Sequence, residues 1–224
     1  MESLQEPIIA WHFIFCTYGF WLPNDPRGSW SRFVRSPEIY AVGGPATGGT
    51  IRRSVAGARH DGAARKAAKL ELKYTPVKFT GVQARAVARG IARAVHENQY
   101  IVHACAILPD HVHILMDIQS RKTERVVGHL KARAAMQIRQ EGIHPLAGYV
   151  TPAGNVPSMW AHGHWCVFIH PSELSRAKQY IELNPPQAGF KPQSWNFIRP
   201  PMGTPAAILP AGNRWSERRH LCRR

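Results

Sequence analysis

Acidic residues are scarce in this chain: 14 Asp and Glu stand against 29 Lys and Arg over 224 residues, a formal charge of +15 at pH 7. Such a field disfavours cationic partners and concentrates polyanions, of which nucleic acid is the commonest. Cysteine is scarce as well. Cys16, Cys105, Cys166 and Cys222 lie far apart and form no C-x-x-C pair, which argues against a disulfide frame or zinc knuckle and for small buried thiols in a reducing compartment. Long apolar runs are missing: none approaches the ~18 residues of a membrane span. The opening "MESLQEPIIAWHF" lacks the basic segment and apolar stretch of a secretory leader. The expectation is a cytoplasmic protein with no membrane partner.

What is present is enough for one core. Hydrophobic residues make up 44% and aromatics 9%, an ordinary globular composition that outweighs the disorder otherwise suggested by 18 Gly and 18 Pro. No internal repeat is visible. The β-branched and aromatic run "IIAWHFIFCT" predicts a first strand, and "YGFWLPNDPRGSW" an ordered loop with aromatic anchors. From about residue 36 to residue 60 two Gly-Gly pairs and few large apolar residues predict a flexible insertion, with order returning at "RKAAKLELKY".

The next segment, "TGVQARAVARGIARAVHEN", places Val87, Ile91 and Val95 four apart and Arg85, Arg89 and Arg93 on a neighbouring strip, an amphipathic helix with a basic face. "YIVHACAIL", a Pro-Asp turn and "HVHILMDI" predict a hairpin. A second helix follows over "TERVVGHLKARAAMQIRQEG", capped by Thr123 and stopped at Gly142, with Val126, Leu130, Ala134 and Ile138 turned inward. "HWCVFIH" gives a fourth strand. "PSELSRAKQYIELNPP" gives a last helix, capped by Ser172 and ended by Pro185 and Pro186. The order is strand, helix, strand, strand, helix, strand, helix. That pattern predicts an α+β fold, a ferredoxin-like (split β-α-β) antiparallel sheet with helices on one face and an extra C-terminal helix. One domain is expected over residues 1–198, followed by a basic, loosely held tail over 199–224.

Two histidines interrupt an apolar strand. Residues two apart in a strand face the same way, so His111 and His113 project together, half of a metal site. The plainer alternative is one hydrogen-bonded core histidine and one facing solvent. On the last helix Tyr180 and Asn184 lie four apart on one edge of the apolar stripe of Leu174, Ala177 and Ile181. A phenol and an amide there can look into a site on the adjoining sheet, or simply close a core boundary. Because Asn184 precedes a proline, its backbone is biased away from helical angles. His162, His164 and Cys166 offer a competing zinc grouping without a fourth ligand. Arg27, Lys131 and Arg133 are candidate phosphate contacts, and Trp21 or Trp30 a stacking surface for an unpaired base.

"LPDHVHIL" resembles the HUH motif (His, bulky hydrophobe, His) of single-tyrosine transposases, and "AKQYIELNP" resembles their tyrosine helix. "MWAHGHWCVFIHPSELSRAKQYIELNPPQAG" and "TYGFWLPNDPRGSW" are similar to the branch of REP-associated tyrosine transposases. The resemblance spans about Trp11 to Phe197 outside the glycine-rich insertion. It implies that His111 and His113 bind a divalent ion, Mg²⁺ or Mn²⁺, with Asn184 as third protein ligand. It further implies that Tyr180 is the catalytic nucleophile, forming a 5′-phosphotyrosine, and that the partner is single-stranded DNA beside a hairpin or repeat. The enzyme so implied is a DNA strand transferase, acting as monomer or homodimer. Two other functions stay open: a non-catalytic single-strand-binding module, since an RNA-recognition domain shares the same element order, and a domesticated relative of the transposases.

Overall fold

A computed structural model describes residues 6–29, 31–48 and 60–199. Four strands, β1 (Ala10–Cys16), β2 (Val102–Ile107), β3 (His111–Asp117) and β4 (Trp165–Ile169), form one antiparallel sheet in the order β2-β3-β1-β4. Between β1 and β2 runs α3 (Gly81–Asn98), after two short helices α1 (Pro37–Gly43) and α2 (Gly62–Leu70). α4 (Thr123–Gln140) joins β3 to β4, and α5 (Leu174–Gln187) closes the series. This is the ferredoxin-like α+β arrangement predicted from the element order.

Alternation along the strands divides the apolar residues between two cores. Trp11, Phe13 and Phe15 of β1, Val112, Ile114 and Met116 of β3, and Cys105 and Ile107 of β2 meet Val87, Ile91 and Val95 of α3 and Val126, Leu130, Ala134 and Ile138 of α4. The two helices come into close contact at Gly90, where an added Cβ would come within 2.5 Å of the Ala134 Cα. α3 opens with a reciprocal capping box between Thr80 and Gln83. On the opposite face Ala10, Ala104, Ala106, Leu115, Val167 and Ile169 pack against Ala177 and Ile181 of α5. The alanines of β2 let this helix lie close to the sheet.

Four local features differ from the sequence reading. Residues 37–43 are helical rather than flexible insertion: Ser36 accepts a hydrogen bond from the Ile39 N–H and Pro37 occupies the first turn, a capping arrangement that overrides the nearby glycines. Residues 49–59 of the insertion lie outside the described residues. α4 is flanked by Lys122 with no side-chain cap, and Thr123 is already its first helical residue. Ser172 sits in a 3-10 turn, where it donates to Glu6 Oε2 at 2.6 Å instead of capping α5. Pro185 and Pro186 do not end α5 but lie in its last turn, since Ala188 N–H donates to the Asn184 and Pro185 carbonyls beyond them.

After α5 the chain returns along the outer edge of β2. Gln193 accepts from the Ile107 N–H and donates to the Ile107 carbonyl, both at 2.8 Å, and the Arg199 N–H donates to the Val102 carbonyl at 2.8 Å. Among the described residues no helix is long and apolar enough to cross a membrane.

Candidate active site

The turn Pro109–Asp110 delivers the chain into β3 so that His111, His113 and Leu115 share the face covered by α5, while Val112 and Ile114 enter the larger core. The two imidazoles stand edge to face, their centroids 4.8 Å apart. Each is fixed through Nδ1. His111 Nδ1 lies 2.7 Å from Asp110 Oδ1. A carboxylate only accepts, so in the neutral ring the proton sits on Nδ1 and the lone pair on Nε2. Phe20 stacks flat on the same ring, at 5.2 Å and 11°. His113 Nδ1 lies 2.9 Å from His12 Nε2, in a hydrogen bond between neighbouring strands whose two residues are 3% and 2% exposed.

His12 is the residue that sequence reasoning missed. It stands in "AWHFIFC" in the same way as His111 and His113 stand in their strand, a polar ring inside an apolar alternation. Ala10, His12 and Ile14 face one way and Trp11, Phe13 and Phe15 the other. That period-two contrast was the available clue.

Tyr180 comes to this face from α5. Its ring centroid is 5.7 Å from His113 and 6.0 Å from His12, so three imidazoles and a phenol form one cluster drawn from β1, β3 and α5. Asn184, one turn further along, is half-buried, and its Nδ2 donates to the Tyr180 carbonyl at 2.8 Å. The amide is thus tied to its own helix through nitrogen, and Oδ1 is the end that this bond leaves aside.

The three basic candidates are placed differently. The Arg27 side chain, 8% exposed, grips Asp25 through Nε and Nη2, both at 2.8 Å, and lies over Trp21 at 3.8 Å. Burial pushes the Asp25 carboxyl up, but the hydrogen bonds from Arg27 outweigh it and the net shift is downward. Lys131 donates to the carbonyls of Ala161 at 2.9 Å and Gly163 at 2.6 Å, strapping α4 to the loop before β4, and burial lowers its pKa to about 8. Arg133 pairs with Glu97 of α3 at 2.6 Å, in the helical layer across the sheet from the histidines. Trp21 is half-exposed and donates to the Gly28 carbonyl at 2.8 Å; Trp30 lies outside the described residues.

Among the described residues no three His, Cys, Asp or Glu side chains form a metal-binding group. The zinc grouping of His162, His164 and Cys166 is therefore not assembled. Cys166 is buried in the larger core, His164 packs edge-on to Phe13 at 5.5 Å, and His162 is exposed.

Among solved structures, a REP-associated tyrosine transposase bound to a REP hairpin is 11% identical with a TM-score of 0.42, over 85% of this chain and 76% of that one. A candidate transposase from Deinococcus radiodurans R1 is 13% identical with a TM-score of 0.39, over 81% of this chain and 93% of that one. Curated proteins return no match. The family model "Transposase IS200 like" matches residues 72–184, half of the chain. That stretch takes in His111, His113, Tyr180 and Asn184, and the protein belongs to the family of IS200-like transposases.

Proposed function

We propose that the protein cuts and rejoins single-stranded DNA through a covalent 5′-phosphotyrosine on Tyr180. The observation that carries this reading is the seating of the Tyr180 ring against His113 and His12 of the same chain, 5.7 and 6.0 Å away. In the reaction the Tyr180 Oη attacks a backbone phosphorus, the new O–P bond forms, and the bond to the leaving 3′ oxygen breaks. The phenol proton passes to water and the leaving oxygen takes one up. Because the phosphodiester energy is kept in the tyrosine linkage, a second 3′-OH can attack the same phosphorus and release Tyr180, so strands rejoin without ATP.

A divalent ion, Mg²⁺ or Mn²⁺, fits the donor set of His111, His113 and the Asn184 amide oxygen. The fit rests on the Nδ1 contacts: Asp110 and His12 each engage Nδ1 of one ring, as outer partners of metal-bound histidines do. When bound, such an ion neutralises a non-bridging phosphate oxygen and orients the phosphorus for attack. The imidazoles and the amide are neutral donors, which leaves the charge of the cation for the phosphate.

The partner we propose is single-stranded DNA beside a hairpin or repeat; the REP-associated protein named above is bound to a REP hairpin. The charge of +15 favours such a partner. That Tyr180 sits on the histidines of its own chain supports action by one chain in cis. The transposase unit is taken to run to residue 198, with residues 199–224 as a basic tail. The reading as an RNA-recognition-like module is weakened by α5, which covers the sheet face that such a module would offer to bases.

The test is incubation with hairpin-bearing single-stranded oligonucleotides and Mg²⁺ or Mn²⁺, followed by a denaturing gel. Wild-type protein should give a covalent adduct, Tyr180→Phe none, and His111→Ala and His113→Ala should lose cleavage far more than binding. An adduct that survives Tyr180→Phe overturns the mechanism.

A further inference from the structure

Between the histidines and the sheet edge lies an apolar ledge outside the three buried clusters of the described residues. Ile14 of β1 stands in register with His113 on one side and Trp165 of β4 on the other. The ring of Trp165 meets Trp21 at 5.9 Å, Trp21 meets Phe20 at 5.9 Å, and Phe20 stacks on His111. Ile14, Phe20, Trp21 and Trp165 are each half-exposed and lie outside the buried clusters of the described residues. Four large apolar side chains gathered at the mouth of a site mark a binding surface.

Cations frame the ledge. Arg27, its charge paired with Asp25, lies over one face of Trp21 at 3.8 Å, and Lys69 of α2 lies 5.8 Å from the Phe20 ring while donating to the Phe20 carbonyl at 3.0 Å. Aromatic rings beside fixed positive charge are the elements with which proteins hold unpaired bases, and they do so with little regard to sequence. His113 and Trp165 are two strand spacings apart, roughly 10 Å, a span that a short stretch of extended strand covers.

The geometry points to a base-binding ledge, Ile14, Trp21 and Trp165, that takes an unpaired base of the DNA strand next to the phosphate held at Tyr180. The occupant is a nucleobase, because the ledge is aromatic and framed by cations. It rests on the reading of Tyr180 as nucleophile for where along the strand the base lies, but not for the binding itself. The lobe before α3, with α1, α2 and the Phe20–Trp21 loop, thereby acquires a purpose: it builds one wall of the strand path.

The experiment uses the full chain, its Trp165→Leu and Trp165→Phe variants, and a fluorescein-labelled single-stranded oligodeoxynucleotide of mixed sequence carrying 5-iodouracil. Binding is read by anisotropy in EDTA, so that no chemistry contributes. Leu keeps the apolar bulk on the strand and loses the ring; Phe keeps a ring. Trp165→Leu should weaken binding about tenfold and Trp165→Phe by less than about threefold. Irradiation of the wild-type complex should crosslink peptides containing Trp165 or Trp21. Binding by Trp165→Leu equal to wild type, equal losses in both variants, or crosslinks confined to other segments would overturn the ledge. If the ledge passes and the wild-type protein still forms no adduct with Mg²⁺ or Mn²⁺, the failure lies with the proposed chemistry alone.

Discussion

The two faces of the sheet are made by the same strands and do different work. Under α3 and α4 the strands present Trp11, Phe13, Phe15, Val112, Ile114 and Met116, large side chains in one dry cluster. Toward α5 the same strands present Ala10, Ala104, Ala106 and Leu115 next to His12, His111 and His113. Small residues there let a helix approach, and Tyr180 of that helix seats against His12 and His113. A one-residue alternation thus separates the large apolar core from the proposed site without a separate domain for either. A chain organised in this way should let each face be damaged while the other survives.

The largest effect is expected on the helical face. Ile91→Ala, at a fully buried position of α3, should cost about 2–5 kcal/mol in urea unfolding. DNA binding below the unfolding transition should be unchanged, and a loss of binding in still-folded protein would break the separation of the faces. His12→Phe attacks the other face. It keeps a ring in the same space but removes the partner of His113 Nδ1, and should weaken Mn²⁺ binding, read by electron paramagnetic resonance, about 10–100-fold. His12→Gln, which can still bond to Nδ1, should recover part of that affinity. Equal affinity in wild type and His12→Phe would reduce His12 to packing.

The smallest effect concerns the strap from α4 to the loop before β4. Burial holds the Lys131 pKa at about 8 against the ordinary 10.5. Between these values the unfolded chain binds the proton that the folded chain has released. This group's contribution to stability therefore rises with pH across that window and is flat outside it. Buried Cys16, pushed up from 9.0 to about 12, works in the opposite direction above its lower value. The pH dependence of Tm should therefore rise less from pH 8 to 10.5 in Lys131→Met than in wild type. Superimposable slopes would show that the ammonium is solvated.

Periodicity made the helical face readable in advance: Val87, Ile91 and Val95 on one helix and Val126, Leu130, Ala134 and Ile138 on the other are buried as their spacing predicts. On the face toward α5 the same rule paired His111 with His113. His12 escaped because a lone imidazole in an apolar strand has no partner in its own neighbourhood; its partner lies 101 residues away. The basic side chains were visible as charge but not as contacts, since Arg133 finds Glu97 and Lys131 finds the loop carbonyls only through the tertiary fold. Residues 37–43 were read as loop because the glycines that follow hid a short capped turn of helix. The orientation of Asn184 was undetermined for a local reason, a proline pair that the last turn of α5 accommodates.

Gln193 settles how far the sheet can grow. Its amide takes both the N–H and the carbonyl of Ile107, behaving as one residue of a fifth strand that is never built. A strand from another molecule arriving at β2 would find these hydrogen bonds already spent, and would have to evict a side chain tethered only a few residues beyond α5. Open edges invite fibrous growth and exchange of strands between copies. Here one glutamine serves as a stopper at Ile107, and a strand added there would first have to displace it.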